Sequence, residues 1–194
     1  MRRPKILVLP GSNRSGSFNA RLAGTVTKAL ALMECEVTRI SLRDYPLPVF
    51  DADLETERGR PDNALKLARL FHGHHAVAFI SPEYNNSITP LTKNTIDWIS
   101  RVSADARGPV SPFAGKVFAI AAASPGNFGG IRSLNHLRSI LVSLGALVLS
   151  EQLAVPRARE AFDEADGLKD EGQRRRLAAM CRSLVEKAAL LATD

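Results

Sequence analysis

The sequence predicts an α/β fold: a three-layer sandwich in which one parallel sheet carries helices on both faces. Three observations support this. Short apolar runs recur without polar alternation at 6–9, 76–80, 117–123 and 146–149, the pattern of strands buried on both sides. Stretches of helical spacing lie between them, and strands that alternate with helices pair in parallel through right-handed crossovers. Segments rich in Gly, Ser, Asn and Pro follow the runs at 6–9, 76–80 and 117–123. In such sheets ligands sit beyond the carboxyl ends of the strands.

Ile6-Leu7-Val8-Leu9 is the first strand and 18–33 the first helix. A weaker, alternating strand covers 36–42. Residues 62–73 form the second helix, 76–80 the third strand and 90–101 the third helix. Pro90 takes the first position of that third helix, with Thr89 as its N-cap. The fourth strand, 117–123, leads into a helix at 130–145, where Leu134, Leu137, Leu141 and Leu144 recur on one core-facing side. A fifth strand at 146–149 and a last helix at 172–192 complete the series. Five strands and five helices in this length suit a flavodoxin-like sandwich with strand order 2-1-3-4-5. The irregular stretches at 44–61, 103–115 and 156–171 read as surface connections, because no independent core lies beyond any of them. Residues 1–194 therefore form a single domain.

Composition narrows the function classes. An apolar content of 45% in 194 residues is enough for one sizeable core. No apolar run approaches the ~20 residues that span a bilayer. Met1-Arg2-Arg3-Pro4 runs directly into the first strand, without the apolar region of a signal peptide. Cys35 and Cys181 follow no metal or redox spacing, so a cytoplasmic location is expected. The net charge of +6 raises the question of nucleic acid, yet the dense basic run, Arg174-Arg175-Arg176, is interleaved with Asp170 and Glu171 and has no aromatic neighbours to stack bases. Neither a nucleic acid nor a membrane partner is expected.

The segment from Gly11 to Asn19 carries the chemistry. A buried strand that ends in Gly-Ser-Asn-Arg-Ser-Gly-Ser and turns into a helix is an anion site, because turn N–H groups and the helix dipole favour negative charge there. Ser17 stands where a nucleoside-triphosphate loop needs Lys, and Asn13 where a dinucleotide fingerprint needs Gly. A loop for one compact phosphate remains. Ser12, Ser17 and Asn19 supply neutral hydrogen bonds, and Arg14 supplies a fork for phosphate oxygens. After the third strand, Pro82 stiffens a loop in which Tyr84 offers a flat face and Asn85 both donor and acceptor, suited to a planar heterocycle with polar edges. After the fourth, Ser124-Pro125-Gly126-Asn127-Phe128-Gly129-Gly130 lets backbone approach a ligand closely. The three loops converge on one crevice.

These residues resemble the NAD(P)H-dependent FMN reductases, a family that includes chromate, quinone and azo reductases. Residues 11–19 resemble the family's GSxRxxSxN motif. Ser81-Pro82-Glu83-Tyr84-Asn85 with Lys93-Asn94-Thr95-Ile96-Asp97-Trp98 resembles its PEYN…KNxIDW signature, and Gly129-Gly130-Ile131-Arg132 with Leu137-Arg138 its GGxR…LR segment. The resemblance runs from Lys5 to about Leu153. It implies that Ser12, Asn13, Arg14, Ser17, Phe18 and Asn19 hold the phosphate end of FMN. It also implies that Pro82, Glu83, Tyr84 and Asn85 lie along the isoalloxazine, partly through backbone atoms, and that Ser124 and Gly126 close the pocket. NADPH or NADH is then the co-substrate and a quinone, azo dye, oxidised metal anion or flavin the acceptor. A homodimer or homotetramer with the 90–101 and 130–145 helices at its interface is further implied, and many members have Pro-Gly where this chain has Thr89-Pro90. The flavin carries the chemistry, so no side chain is assigned as catalytic. An FMN-binding electron carrier without nicotinamide turnover is the alternative.

Other candidates are weaker. His72, His74 and His75 have no carboxylate or thiol at ligand spacing, so no metal is expected. Glu83 has no second carboxylate or Ser–His pair placed to make a hydrolase. Asp97 and Trp98 read as packing or subunit-surface residues.

Overall fold

A computed structural model describes residues 3–192; Met1 and Arg2 of the leading stretch lie outside the described residues. The elements in order are β1 (Lys5–Pro10), α1 (Phe18–Ala31), β2 (Glu36–Arg39), a 3₁₀ turn (Leu42–Asp44), α2 (Ala52–Arg58) and α3 (Asp62–Gly73). Next come β3 (Ala76–Ile80), the short pair β4 (Glu83–Tyr84) and β5 (Ser87–Ile88), and α4 (Pro90–Ser100). The chain continues with β6 (Ala104–Asp105), β7 (Gly108–Pro109), β8 (Val117–Ala123), α5 (Ile131–Ser143), β9 (Leu147–Val148), β10 (Leu153–Val155) and α6 (Glu171–Leu191).

The main sheet is parallel, in the order β10-β8-β3-β1-β2, which is the expected 2-1-3-4-5 arrangement of a flavodoxin-like fold. Its central strands are buried on both faces, and successive side chains divide between two cores. Ile6, Val8, Ala78, Ile80, Ala119 and Ala121 face α1 and α6, meeting Leu22, Val26, Met180 and Leu184. Leu7, Leu9, Val77, Phe79, Phe118 and Ile120 face α3, α4 and α5, meeting Phe71, Ile96, Leu137 and Leu141. Alanines on the first face leave room for the long aliphatic residues of its two helices. The second face carries an aromatic cluster in which Phe71 lies 5.8 Å from Phe113 and 6.3 Å from Phe118.

Four expectations need correction. The fifth strand is not a continuous 146–149 segment. Leu147–Val148 pairs with Val117–Phe118, the polar Ser150-Glu151-Gln152 interrupts it, and Leu153–Val155 resumes beside Ala121–Ala123 as the sheet edge. The second strand ends at Arg39, because Ser41 caps a 3₁₀ turn that consumes Leu42. The stretch 44–61 contains α2, opened by Asp51, whose side chain accepts from the N–H groups of Asp53 and Leu54, and closed by Gly59 at φ 73°. The stretch 103–115 carries the β6–β7 hairpin, clasped by Arg69, which pairs with Asp105 and donates to Gly108 O at 2.9 Å. The helix boundaries otherwise fall within two residues of the predicted ones.

Candidate active site

Three connections meet at the carboxyl end of the sheet. The first, 11–17, joins β1 to α1. Ser17 caps α1, its Oγ accepting from Asn19 N at 3.2 Å and Ala20 N at 3.4 Å, and Gly16 turns the chain at φ 66°. Both of those bonds use acceptor capacity, so the Ser17 hydroxyl proton stays available to an oxygen in front of the helix. Ser12 Oγ accepts from Arg14 N at 3.3 Å. The Arg14 guanidinium donates to Ser15 O at 3.3 Å and Gly16 O at 3.1 Å, and lies 5.8 Å from the Phe18 ring. Asn19, which lines the space these connections enclose, also ties two elements together. Its Nδ2 donates to Ala123 O at 2.8 Å and its Oδ1 accepts from Ala123 N at 2.9 Å, so a buried side-chain amide ties the start of α1 to the end of β8.

The second connection leaves β3 through Ser81 and Pro82 and folds into the β4–β5 hairpin. Asn85 and Asn86 form its turn with φ of 49° and 64°, positive values that Asn tolerates better than most residues. The base of this loop is locked to the first. Thr89 Oγ1 donates to Gly11 O at 2.9 Å and lies 2.9 Å from Thr92 Oγ1, which in turn sits 3.3 Å from Ser81 Oγ. All three hydroxyl residues are buried.

The third connection follows β8. Ser124 N donates to Val155 O at 3.1 Å, and Ala158 N donates to Ser124 O at 3.0 Å, which fastens the loop to the segment after the sheet edge. Gly129 and Gly130 have φ of 62° and 89°. A Cβ on Gly129 would stand 2.8 Å from Pro156 N, and one on Gly130 2.6 Å from Ala122 Cβ, so both places require glycine.

Gly130 gives α5 no side-chain cap; Glu83 does so from the second loop. Its Oε2 accepts from Arg132 N and Ser133 N, each at 3.1 Å. The carboxylate thus satisfies two helix N–H groups and the positive end of the helix dipole. The arrangement couples loops two and three across 49 residues of sequence.

These connections enclose a cavity of about 480 Å³. The first loop contributes Ser12, Arg14, Ser17, Phe18 and Asn19, the second Pro82, Glu83 and Tyr84, and the third Ser124. Asn13 instead lines a neighbouring cleft, Asn85 belongs to the hairpin turn, and the Gly126 N–H is turned back to Ser124 Oγ at 3.3 Å. Arg159 lines the cavity as well and escaped the sequence reading. It stands four residues past the sheet edge at Val155, in the stretch that the sequence predicts as a surface connection. The three histidines go separate ways. His72 Nδ1 accepts from Ser111 N, His74 Nδ1 lies 2.6 Å from Leu70 O, and His75 Nδ1 accepts from Lys5 N.

The donor set fits FMN. At one end Ser12, Ser17 and Arg14 surround the α1 N-terminus, a neutral-plus-cationic set suited to a phosphate dianion. At the other, Tyr84 is 52% exposed beside a stiff proline, a flat apolar surface for a ring. The carboxylate of the lining, Glu83, is committed to α5, so Arg14 and Arg159 leave the wall positive.

A protein family described as NADPH-dependent FMN reductase matches residues 4–160. The chain is 40% identical over 148 residues to a quinone reductase of Escherichia coli K12, covering 76% of this chain and 74% of that protein. It is 34% identical over 172 residues to an NAD(P)H-dependent FMN reductase of Pseudomonas aeruginosa, with 88% and 87% covered. Among solved structures, the flavoenzyme NAD(P)H:(acceptor) oxidoreductase FerB of Paracoccus denitrificans superposes with a TM-score of 0.78 at 25% identity, covering 97% of this chain and 98% of that one.

Proposed function

Because this chain belongs to the NADPH-dependent FMN reductase family, we propose that it holds FMN in the cavity between its three loops and passes reducing equivalents from a nicotinamide to a quinone-type acceptor. The chain is an NAD(P)H-dependent flavin oxidoreductase, and an electron-carrier reading is not favoured. The observation that supports the site is the convergence itself: loops that begin at Gly11, Ser81 and Ser124 meet at one cavity whose acidic residue is engaged by α5.

When bound, the flavin supplies hydride acceptance and onward electron transfer. The protein's part is binding and orientation. In this reading the Ser17 hydroxyl, the Ser12 hydroxyl and Arg14 grip the phosphate at the head of α1. Pro82 and Tyr84 flank the ring, and Ser124 closes the side next to β8. Asn19 acts as a positioning residue, since its amide holds α1 against β8 and so sets where the phosphate end lies relative to the ring end. Glu83 does the same for the ring-side loops. No side chain is asked to move a proton.

The proposal extends to a single FMN-binding domain over 1–194, and to a homo-oligomer that uses α4 and α5. The exposed Val142 of α5 supports the second point. It also extends to a cytoplasmic location, supported by two free cysteines. No helix among the described residues is long and apolar enough to cross a membrane. An anaerobic absorption spectrum of the FMN-loaded protein tests the central claim. NADPH should bleach the flavin bands and a quinone restore them. A protein that leaves FMN unbound, or whose bound flavin no nicotinamide reduces, would refute it.

A further inference from the structure

A fourth connection, the segment after β10, reaches the flavin cavity and brings a cation that the three loops do not supply. Arg159 lines that cavity beside Ser124 and Pro125. The backbone around it is fixed. Arg157 N donates to Gly126 O at 3.1 Å, Ala158 N to Ser124 O at 3.0 Å and Glu160 N to Arg157 O at 2.9 Å, while Ala158 is fully buried. The Arg159 side chain stands exposed and forms no hydrogen bond or ion pair among the described residues. Arg21, which packs on the same segment, is by contrast engaged by Asp166 and Phe162. A guanidinium is a fork of five donors with no acceptor. Left open at a wall whose one carboxylate, Glu83, caps a helix, it favours an anion in the cavity.

Packing indicates which end of the cavity it serves. The segment after Arg159 runs along α1: Lys28 Nζ donates to Ala165 O at 2.7 Å, Thr25 Oγ1 to Asp166 O at 2.7 Å, and Arg21 to Asp163 O at 2.6 Å. Toward smaller numbers the segment therefore advances to the head of α1. Ala158 then bonds Ser124, the residue after the Ala123 that Asn19 holds. Arg159 thus comes abreast of the first turn of α1. Arg14 reaches that turn from the other side, since it also lines the cleft beside Arg39 at the end of β2, whereas Arg159 follows β10 at the opposite edge of the sheet. An ester phosphate carries about −1.5 to −2 charges at neutral pH, more than one guanidinium offsets. Arg14 moreover directs two of its nitrogens at Ser15 O and Gly16 O. We propose that Arg159 is a specificity-determining residue of the flavin site: it takes the 5′-phosphate of FMN jointly with Arg14, and so makes the protein select FMN over riboflavin. The inference rests on the FMN reading above and adds to it a residue outside the loop motifs.

Fluorescence titration of the apoprotein with FMN and with riboflavin tests it. Arg159→Gln should weaken FMN binding at least about tenfold, through loss of hydrogen bonds to a charged group, and leave riboflavin affinity within about twofold. Arg159→Lys should recover part of the loss as a point charge, and the salt dependence of FMN binding should flatten in Arg159→Gln. Arg157→Gln removes an equal charge from a residue that does not line the cavity, and should keep the wild-type ratio of FMN to riboflavin affinity. Equal losses for FMN and riboflavin would set Arg159 at the ring and overturn the assignment. An equal effect of Arg157→Gln would also overturn it, by reducing the result to net charge. An Arg159→Gln protein with wild-type FMN affinity would remove the role of Arg159 and leave the FMN reading standing. A wild-type protein that binds neither flavin would bring down both.

Discussion

Gly11 and Thr92 should behave as one unit under mutation, although 81 positions separate them. A Cβ on Gly11 would stand 2.1 Å from Thr92 Oγ1, deep inside van der Waals contact. Neither partner can retreat easily. Gly11 N donates to Ile80 O at 2.8 Å, while the Thr92 hydroxyl is fully buried among Thr89 and Ser81. Overpacking of this kind costs up to about 3 kcal/mol, and Gly11→Ala is expected near that limit. Thr92→Ala alone forfeits a buried hydrogen bond and a methyl group, about 1–2 kcal/mol. In the double variant the new Cβ meets Thr92 Cβ and Pro82 Cδ at 3.5 Å each, which is ordinary contact. The pair should therefore be no less stable than Thr92→Ala by itself. The expected coupling is about 2–3 kcal/mol of recovered stability, since a relieved clash returns what overpacking took. Urea denaturation of the four proteins measures it, with a common m-value showing that the transitions are comparable. Losses that add to within about 0.5 kcal/mol would refute the reasoning.

Three other outcomes are expected. Glu83→Gln removes a charged cap from α5; the loss should be about 1 kcal/mol, seen as a melting temperature roughly 2–4 °C lower, and an unchanged melting curve would disprove the cap. Arg14→Ala should weaken FMN binding by about 1.5–3 kcal/mol, the value of hydrogen bonds to a charged group, as read by fluorescence titration of the apoprotein; equal affinity would remove Arg14 from the phosphate site. Burial holds the His74 imidazole below its ordinary pKa of 6.5, so the unfolded chain takes up that proton more readily than the folded one. Stability should therefore be full above about pH 6.5 and decline as pH falls through it, and His74→Gln should flatten that slope in urea midpoints collected from pH 7.5 to 5.5; parallel curves for both proteins would exclude His74 as the titrating group.

Features written in contiguous residues were legible beforehand. The runs at 76–80 and 117–123 are strands with those bounds, because uninterrupted apolar residues have no stable place except the middle of a covered sheet. Thr89 caps the helix it precedes, as its place before Pro90 predicts. The α2 helix was also legible in principle, from Asp51 at its head and Gly59 at its end, but a charged, exposed face with no buried residue gave no apolar periodicity to find it by. The fifth strand misled for the opposite reason: its most apolar part pairs for only two residues, and the edge is formed by the segment beyond the polar interruption.

The sequence by itself determined the strands of the sheet and the glycine- and serine-rich turn from β1 into α1, since each depends on local spacing and the hydrophobic content of single segments. Only the tertiary structure decided that Glu83 serves α5, that the Asn19 amide is absorbed by β8, that Arg159 reaches the cavity and that Arg39 and Arg43 share a cleft with Arg14. Those roles belong to polar side chains, whose partners are chosen by distance in space. A carboxylate or guanidinium looks the same in sequence whether it faces water, a helix end or a ligand, and folding alone selects among them.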